Sequence, residues 1–228
     1  ITGPEPFIHT NIRGTFSILE ALRTSKHVAK LLVVSTDEVY GALDIGDAPF
    51  TEQHHTKPSS PYSASKSAAD LLALAYHRTY GMDIVVTRCS NNYGPWQNKE
   101  KLIPKTIDRA IKVQSIPVYG QGLNIRDWIW VEDHCSALMH VLRHGKAGEI
   151  YNVGSDNEVP NIDIVHTILK LLSRDDSLIQ FVTDRPGHDF RYAMNSSKLQ
   201  AIGWKPLTPF EEGIGRTIDW YRNRVSCE

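Results

Sequence analysis

Two short runs of mostly apolar residues, 31–36 and 83–89, each end in small or polar side chains. Continuous apolar runs of this length are typical of strands buried on both faces of a parallel sheet. Helical patterns cover 4–25, before the first run, and 62–80, between the two, where Gly81 ends the pattern. Alternation of helix and strand predicts an α/β fold with a doubly wound parallel sheet, in which functional side chains gather at the carboxyl ends of the strands.

Beyond residue 95 the segments become shorter. Helices are predicted near 103–113, 132–143, 162–172 and 210–224, and strands near 116–119, 127–131, 150–153 and 179–182. We interpret residues 1–95 as the second half of a nucleotide-binding domain and 96–228 as a smaller α/β substrate domain. An arrangement in which the two domains interleave stays open.

Composition excludes several classes of protein. The 228 residues are 41% hydrophobic and 22% charged, as in globular domains, and the net charge of -1 argues against a non-specific nucleic-acid binder. No apolar run reaches the roughly 20 residues that cross a bilayer. The three cysteines, Cys89, Cys135 and Cys227, suit neither a disulfide framework nor a metal site, so we expect a reducing, cytoplasmic location without a metal.

Tyr62 and Lys66 carry the strongest local signal. Residues four apart share a face of a helix, so both side chains can reach one cleft. A nearby ammonium stabilises a phenolate and lowers the phenol pKa, which would let Tyr62 act as a base near neutral pH. The same ammonium can bind the ribose of a dinucleotide.

Asp37 and Glu38 follow the first apolar run directly. Burying two adjacent carboxylates at the end of a strand costs free energy, so their presence there indicates a function. Here the sequence resembles the extended short-chain dehydrogenase/reductase family, and within it the dTDP-glucose 4,6-dehydratase branch. The motifs that carry the resemblance occur in the expected order: 35–41 (STDEVYG), 61–66 (PYSASK), 89–95 (CSNNYGP), 101–104 (KLIP), 126–128 (RDW) and 184–189 (DRPGHD).

The resemblance implies a Rossmann-like fold and an NAD-dependent dehydration of a nucleotide-linked glucose in three stages. In the first stage hydride leaves C4 for NAD+ while Tyr62 takes the 4-hydroxyl proton, assisted by Thr36 and Lys66. In the second stage Glu38 removes the C5 proton and Asp37 protonates the departing C6 hydroxyl. In the third stage the hydride returns to C6.

The resemblance also implies the binding residues. Cofactor contacts are expected from Ser35, Tyr62, Lys66, Cys89 and Asn92. Contacts with the substrate, dTDP-glucose, are expected from Thr36, Asn91, Lys101, Leu102, Pro117, Tyr119, Arg126, Asn161, Arg185, His188 and Tyr192. We expect neither a nucleic-acid nor a membrane partner.

Several alternatives stay open. The family's glycine-rich dinucleotide fingerprint is not among these residues, so the N-terminal half of the sheet is expected to be missing from the chain, and NAD is inferred from the resemblance alone. Another enzyme of the group, such as a GDP-mannose dehydratase, a decarboxylase or an epimerase, is one competing interpretation, and a truncated, non-catalytic homologue is another. Apolar residues in helices 4–25 and 62–80 exceed what one sheet face would cover, so a homodimer is expected.

Overall fold

The computed structural model describes residues 3–26, 29–184 and 188–225. The helices are α1 (Glu5–Phe7), α2 (Thr15–Thr24), α3 (Pro61–Tyr80), α4 (Leu102–Ile111), α5 (Val131–His144), α6 (Asn161–Leu171), α7 (Ser197–Ala201) and α8 (Phe210–Val225). The strands are β1 (Leu31–Thr36), β2 (Ile84–Cys89), β3 (Asn91–Tyr93), β4 (Ile116–Tyr119), β5 (Ile125–Trp130), β6 (Ile150–Val153), β7 (Glu158–Pro160) and β8 (Ile179–Val182). A π-helical stretch, Ile8–Gly14, connects α1 to α2, and 3₁₀ turns span Asp37–Tyr40 and Asp176–Leu178.

The central sheet has the strand order β1-β2-β6, and both pairings are parallel. Ile84 and Val86 pack with Leu19 of α2 and Ala73 of α3 on one face of this sheet. Between them, Val85 belongs to a second cluster that includes residues of α5 on the opposite face. Helices therefore cover both faces, and the predicted doubly wound parallel α/β fold is confirmed.

Strand β6 comes from beyond residue 95 and pairs with β2. The central sheet thus contains a segment that the sequence analysis assigned to the substrate domain. The division of the chain at residue 95 stays a prediction.

The second half of the chain contains two smaller sheets, β3-β5-β7 and β4-β8. Asn91–Tyr93, within the 89–95 motif, forms a strand parallel to β5 that the sequence analysis did not predict. β7 and the short helix α7 were not predicted either. Such three- to five-residue elements carry little periodic signal and form because a neighbour supplies the pairing or packing. The largest apolar cluster lies between α4, α6 and α8 and the strands beside them.

The first predicted helix, 4–25, forms, but its middle is a π-helix over Ile8–Gly14. A π-helix bonds each residue to the fifth following residue and is frequent at functional sites. Within the described ranges, each helix is too short or too polar to cross a bilayer.

Candidate active site

A sharp turn at the carboxyl end of β1 holds the two predicted carboxyl groups. Thr36 ends the strand, and its hydroxyl accepts a hydrogen bond from the Glu38 amide at 3.3 Å. The same hydroxyl donates to Asp37 Oδ1 at 3.1 Å. Thr36 therefore caps the 3₁₀ turn and fixes the Asp37 side chain at the same time.

Burial sets the protonation of Asp37. The residue is 3% exposed, and burial followed by the negative charge of Glu38 raises the pKa of its carboxyl to about 7. The hydrogen bond from Thr36 opposes this rise. Glu38 is only half-buried. Two adjacent carboxyl groups thus have different environments, which is the usual way to obtain an acid beside a base at one pH.

Helix α3 presents Tyr62 and Lys66 from its first two turns. Ser60 caps the helix, and the Ser60 and Ser63 side chains each accept the other residue's backbone amide. Lys66 Nζ donates to the Val34 carbonyl on β1 at 2.7 Å, so the lysine lies at the carboxyl end of that strand. The negative charge of Glu38 acts on the Tyr62 phenol, which places the turn and the helix start beside one another.

The expected lowering of the Tyr62 pKa is wrong for this structure. Burial, and then the nearby acidic groups of Glu38, Cys89 and Asp37, raise the pKa of the Tyr62 phenol to about 12. Burial and these acidic groups therefore set the phenol pKa, while the Lys66 ammonium is bonded to the Val34 carbonyl.

Sequence reasoning missed one polar contact behind Tyr62. Asn11, in the π-helical stretch, donates from Nδ2 to Ser65 Oγ at 2.9 Å. Ser65 Oγ in turn donates to the Tyr62 carbonyl at 2.7 Å. The ring of Phe7 packs edge-on against the Tyr62 ring, with 5.4 Å between centroids. The sequence signal for this contact was the amide side chain of Asn11, which stands beside Ile12 on the predicted helix.

Arg126 and Tyr192 face the turn at Asp37–Tyr40 from the second half of the chain. The charge of Arg126 acts on Asp37, and that of Glu38 acts on Tyr192. The buried Arg126 guanidinium stacks on the Tyr192 ring at 4.3 Å and donates to the backbone carbonyls of Asp189 and Phe190. Its predicted contact with a pyrophosphate stays a prediction, because these donors point at the chain itself.

The Asp189 carboxylate connects this group to the loop before α3. Both Tyr192 and Ser59 donate their hydroxyls to Asp189 Oδ2. Burial and this carboxylate raise the pKa of the Tyr192 phenol. The loop that carries Ser59 leads directly into the capped start of α3, so Tyr192 and Tyr62 are held by adjoining segments.

His188 and Tyr119 form a separate group. His188 Nδ1 lies 2.7 Å from Asp184 Oδ1, and the His188 ring meets the Tyr119 ring edge-on at 6.4 Å. Pro117 and Tyr119 are on β4. Arg185, predicted as a pyrophosphate ligand, lies outside the described residues.

The remaining predicted substrate residues lie at element starts. Asn91 begins β3 and pairs with Trp128. Lys101 is exposed at the N-cap of α4, and Leu102 packs against the largest apolar cluster. Asn161 begins α6.

Comparison with known proteins gives the family. A family model described as GDP-mannose 4,6 dehydratase matches residues 1–217. A dTDP-glucose 4,6-dehydratase of Xanthomonas campestris pv. campestris is 48% identical over 97% of this chain and 68% of its own length. The chain belongs to the dTDP-glucose 4,6-dehydratase family.

Two solved structures of this family superpose closely on the chain. The dTDP-glucose 4,6-dehydratase of Bacillus anthracis, in complex with NAD, has a TM-score of 0.93 and 47% identity, and the match covers 97% of this chain and 70% of that one. DesIV of Streptomyces venezuelae, a dTDP-glucose 4,6-dehydratase with NAD and TYD bound, has a TM-score of 0.96 and 42% identity, covering 100% and 70% of the two chains.

Since members of the dTDP-glucose 4,6-dehydratase family have been crystallised with NAD, the predicted cofactor residues can be tested for fit. Cys89 Sγ donates to the Ser35 carbonyl at 3.3 Å, and Asn92 Nδ2 donates to the Ser90 carbonyl at 3.1 Å. Asn92 Oδ1 is buried and has no hydrogen-bond partner among the described residues. An unsatisfied amide oxygen beside the carboxyl end of β2 fits an amide donor such as the nicotinamide carboxamide.

Cys89 fits the site as a neutral group. Burial raises the pKa of its thiol to about 12, so the thiol keeps its proton at neutral pH. A neutral thiol is a weak nucleophile, and Cys89 therefore suits a packing position better than a reactive one in this dTDP-glucose 4,6-dehydratase family member.

Proposed function

We propose that the protein dehydrates dTDP-glucose to dTDP-4-keto-6-deoxyglucose with NAD as cofactor, a step of deoxysugar formation. The observation that carries the proposal is the pair of unlike carboxyl groups on one turn, a buried Asp37 whose pKa is about 7 and a half-buried Glu38. Their position opposite Tyr62 and the names of the relatives support the same reaction.

The first stage uses Tyr62, Thr36 and Lys66. Tyr62, as the phenolate, accepts the proton of the sugar 4-hydroxyl, and Thr36 orients that hydroxyl. Lys66, on the same face of α3, binds the ribose of the cofactor, and its charge together with the positive charge that bound NAD+ brings favours this phenolate. When bound, the cofactor supplies the hydride acceptor for C4 as NAD+ and the hydride donor for C6 as NADH, while Glu38 returns a proton to C5.

The second stage uses the turn. Glu38 removes the C5 proton, which the neighbouring 4-keto group has made acidic. Asp37 holds a proton near neutral pH and delivers it to the C6 oxygen, so that water leaves. Neither carboxyl group is needed for the earlier removal of hydride from C4.

Two other reactions are less well supported. An epimerase needs no elimination acid and base, so the Asp37–Glu38 pair has no task in it. A GDP-mannose substrate is suggested by the description of the matching family model, whereas a relative at 48% identity is named for dTDP-glucose. We therefore assign the thymidine nucleotide. A homodimer in the cytoplasm, with a nucleotide sugar as its only ligand class besides NAD, completes the proposal.

The test is the double variant Asp37→Asn with Glu38→Gln, which keeps the shapes of both side chains and removes both acids. We expect it to bind dTDP-glucose and reduce NAD+, and then to stall before water leaves. Bound NADH should accumulate in a stopped-flow trace, and solvent deuterium should no longer enter at C5. An adjacent acidic pair on the exposed start of α8 gives the control, Glu211→Gln with Glu212→Gln. Release of the 4-keto-6-deoxy product at a near-normal rate by the first variant would contradict the proposal.

A further inference from the structure

A buried ion pair lies beneath the catalytic turn. Arg88 on β2 donates from Nε to Asp70 Oδ2 on α3 at 3.0 Å, and the two side chains are 3% and 0% exposed. Asp70 lies four residues beyond Lys66, which lies four beyond Tyr62, so the three side chains share one face of α3. A buried charge pair needs good geometry to offset the cost of removing both charges from water. Removing either partner would leave the other charge buried and uncompensated.

The same arginine supports the end of the turn. The Arg88 guanidinium carbon lies 4.6 Å from the centre of the Tyr40 ring, and Tyr40 is the last residue of the turn that begins at Asp37. The Tyr40 hydroxyl donates to Asn152 Oδ1 on β6 at 2.7 Å. Asn152 is fully buried, and its amide side chain donates to the Phe50 carbonyl at 3.0 Å. Tyr40 therefore contacts Arg88 through its ring and Asn152 through its hydroxyl, and Asn152 is itself bonded to the Phe50 carbonyl.

These contacts join the two halves of the proposed reaction. Helix α3 carries Tyr62, and the turn carries Asp37 and Glu38. The chain of side chains from Asp70 through Arg88 to Tyr40 runs between the helix and the turn inside the protein. Tyr40 and Arg88 are themselves buried, so they act through the groups they hold.

We propose that Tyr40 and Arg88 are positioning residues that fix the carboxyl groups of Asp37 and Glu38 relative to Tyr62, so that elimination follows oxidation on the same bound sugar. The inference rests on the proposed function. The role is one of geometry: the charged groups that act on Asp37 most strongly are Glu38, Asp127 and Arg126, and the ion pair is not among them.

The first test compares Tyr40→Phe with Tyr151→Phe. Tyr151 is an equally buried tyrosine on β6, next to Asn152 but with its side chain in the apolar cluster on the opposite face of the sheet, where its hydroxyl accepts from the Lys146 amide at 3.0 Å. Tyr40→Phe keeps the ring on Arg88 and removes the hydroxyl, which bonds to Asn152 and also interacts with Arg88. We expect Tyr40→Phe to slow product release by about 10- to 100-fold while bound NADH still forms at the normal rate. Tyr151→Phe should change neither rate. Equal slowing of both stages by Tyr40→Phe, or the same behaviour in both variants, overturns the proposal.

The second test needs no turnover and uses ¹³C-labelled aspartate carboxyl groups observed by NMR. Asp37, identified by the signal lost in Asp37→Asn, should titrate near neutral pH in the unchanged protein. Tyr40→Leu removes the ring from Arg88 and frees the turn, so water should reach Asp37 and its midpoint should fall toward the ordinary range. The midpoint should not move in Tyr151→Phe. If Tyr40→Leu does not fold, Tyr40→Phe should still lower the Asp37 titration midpoint, by a smaller amount.

The two tests separate the two ideas. Absence of dTDP-glucose turnover in the unchanged protein would reject the proposed function, and the carboxyl titration would then decide the positioning role by itself. An unchanged Asp37 midpoint in every folded Tyr40 variant overturns that role.

Discussion

Asp37 illustrates how the chemistry of one residue depends on its surroundings more than on its type. Its proton affinity comes from burial and from Glu38, and the hydrogen bond from Thr36 reduces the rise only in part. Since the protein holds this proton more tightly than the unfolded chain does, the residue links catalysis to stability.

The free energy of unfolding should therefore depend on pH through Asp37. The folded pKa of about 7 lies above the ordinary 3.8, so the stabilising contribution of the protonated group is complete below pH 4 and is lost as pH rises through 7. At 1.36 kcal/mol for each pKa unit, the loss is on the order of 4 kcal/mol as an upper limit. Urea unfolding should show Asp37→Asn more stable than the unchanged protein at pH 8 and similar to it at pH 4. A variant that is less stable at pH 8 would contradict the assignment.

Sequence reasoning could locate the proposed reactive side chains at this scale because their signals are local. Tyr62 and Lys66 are four residues apart on one helix, and Asp37 and Glu38 follow one strand directly. It could not find the raised pKa of Tyr62 or the partner of Asn11, since both depend on side chains brought together from segments distant in sequence.

At the scale of elements, several segments were predicted with their observed bounds or within one residue of them. Strands 31–36, 116–119, 150–153 and 179–182 have the predicted bounds, and α3 differs by one residue. These segments carry either a continuous apolar run or a capped helical period. β3 and β7, each three residues long, gain their stability from β5, so their sequences alone do not indicate a strand.

The start of α3 gives a prediction at this scale. Ser60→Ala removes the hydroxyl that accepts the Ser63 amide at 3.1 Å. It leaves only the reciprocal bond of the capping box, in which the Ser63 hydroxyl accepts the amide of residue 60. Loss of an N-cap costs about 0.5–2 kcal/mol, so the melting temperature should fall. As Tyr62 lies in the same turn, bound NADH should also form more slowly. Ser17→Ala on exposed α2 is the control and should leave both measurements unchanged. An identical response of the two variants would show that the cap does not matter.

At the scale of the whole molecule, helices α2 and α3 both carry exposed apolar side chains. Phe16 and Ile18 on α2 and Leu71 on α3 are 47%, 54% and 58% exposed. Exposed apolar surface on two helices that pack together indicates an interaction surface. The sequence predicted this surplus, but which side chains remain uncovered depends on the packing of α2 against α3.

We expect light scattering at micromolar concentration to give the mass of two chains. Phe16→Glu combined with Leu71→Glu places two charges in the proposed interface and should give the mass of one chain. Leu207→Glu, at a residue 76% exposed in the segment before α8, is the control and should keep the dimer. A single-chain mass for the unchanged protein rejects the homodimer.

The π-helical stretch Ile8–Gly14 has a consequence for how the family can change by insertion and deletion. A π-turn accommodates one residue more than the α-helix around it. Deleting one residue there would restore a regular helix and leave Glu5–Phe7 near its present orientation, because the wider turn is what absorbs the extra residue. Phe7 would then stay on the Tyr62 ring, whereas the turn that presents Asn11 to Ser65 would be lost. The first helix can therefore lose this one residue and keep its packing on α3, at the cost of a polar contact.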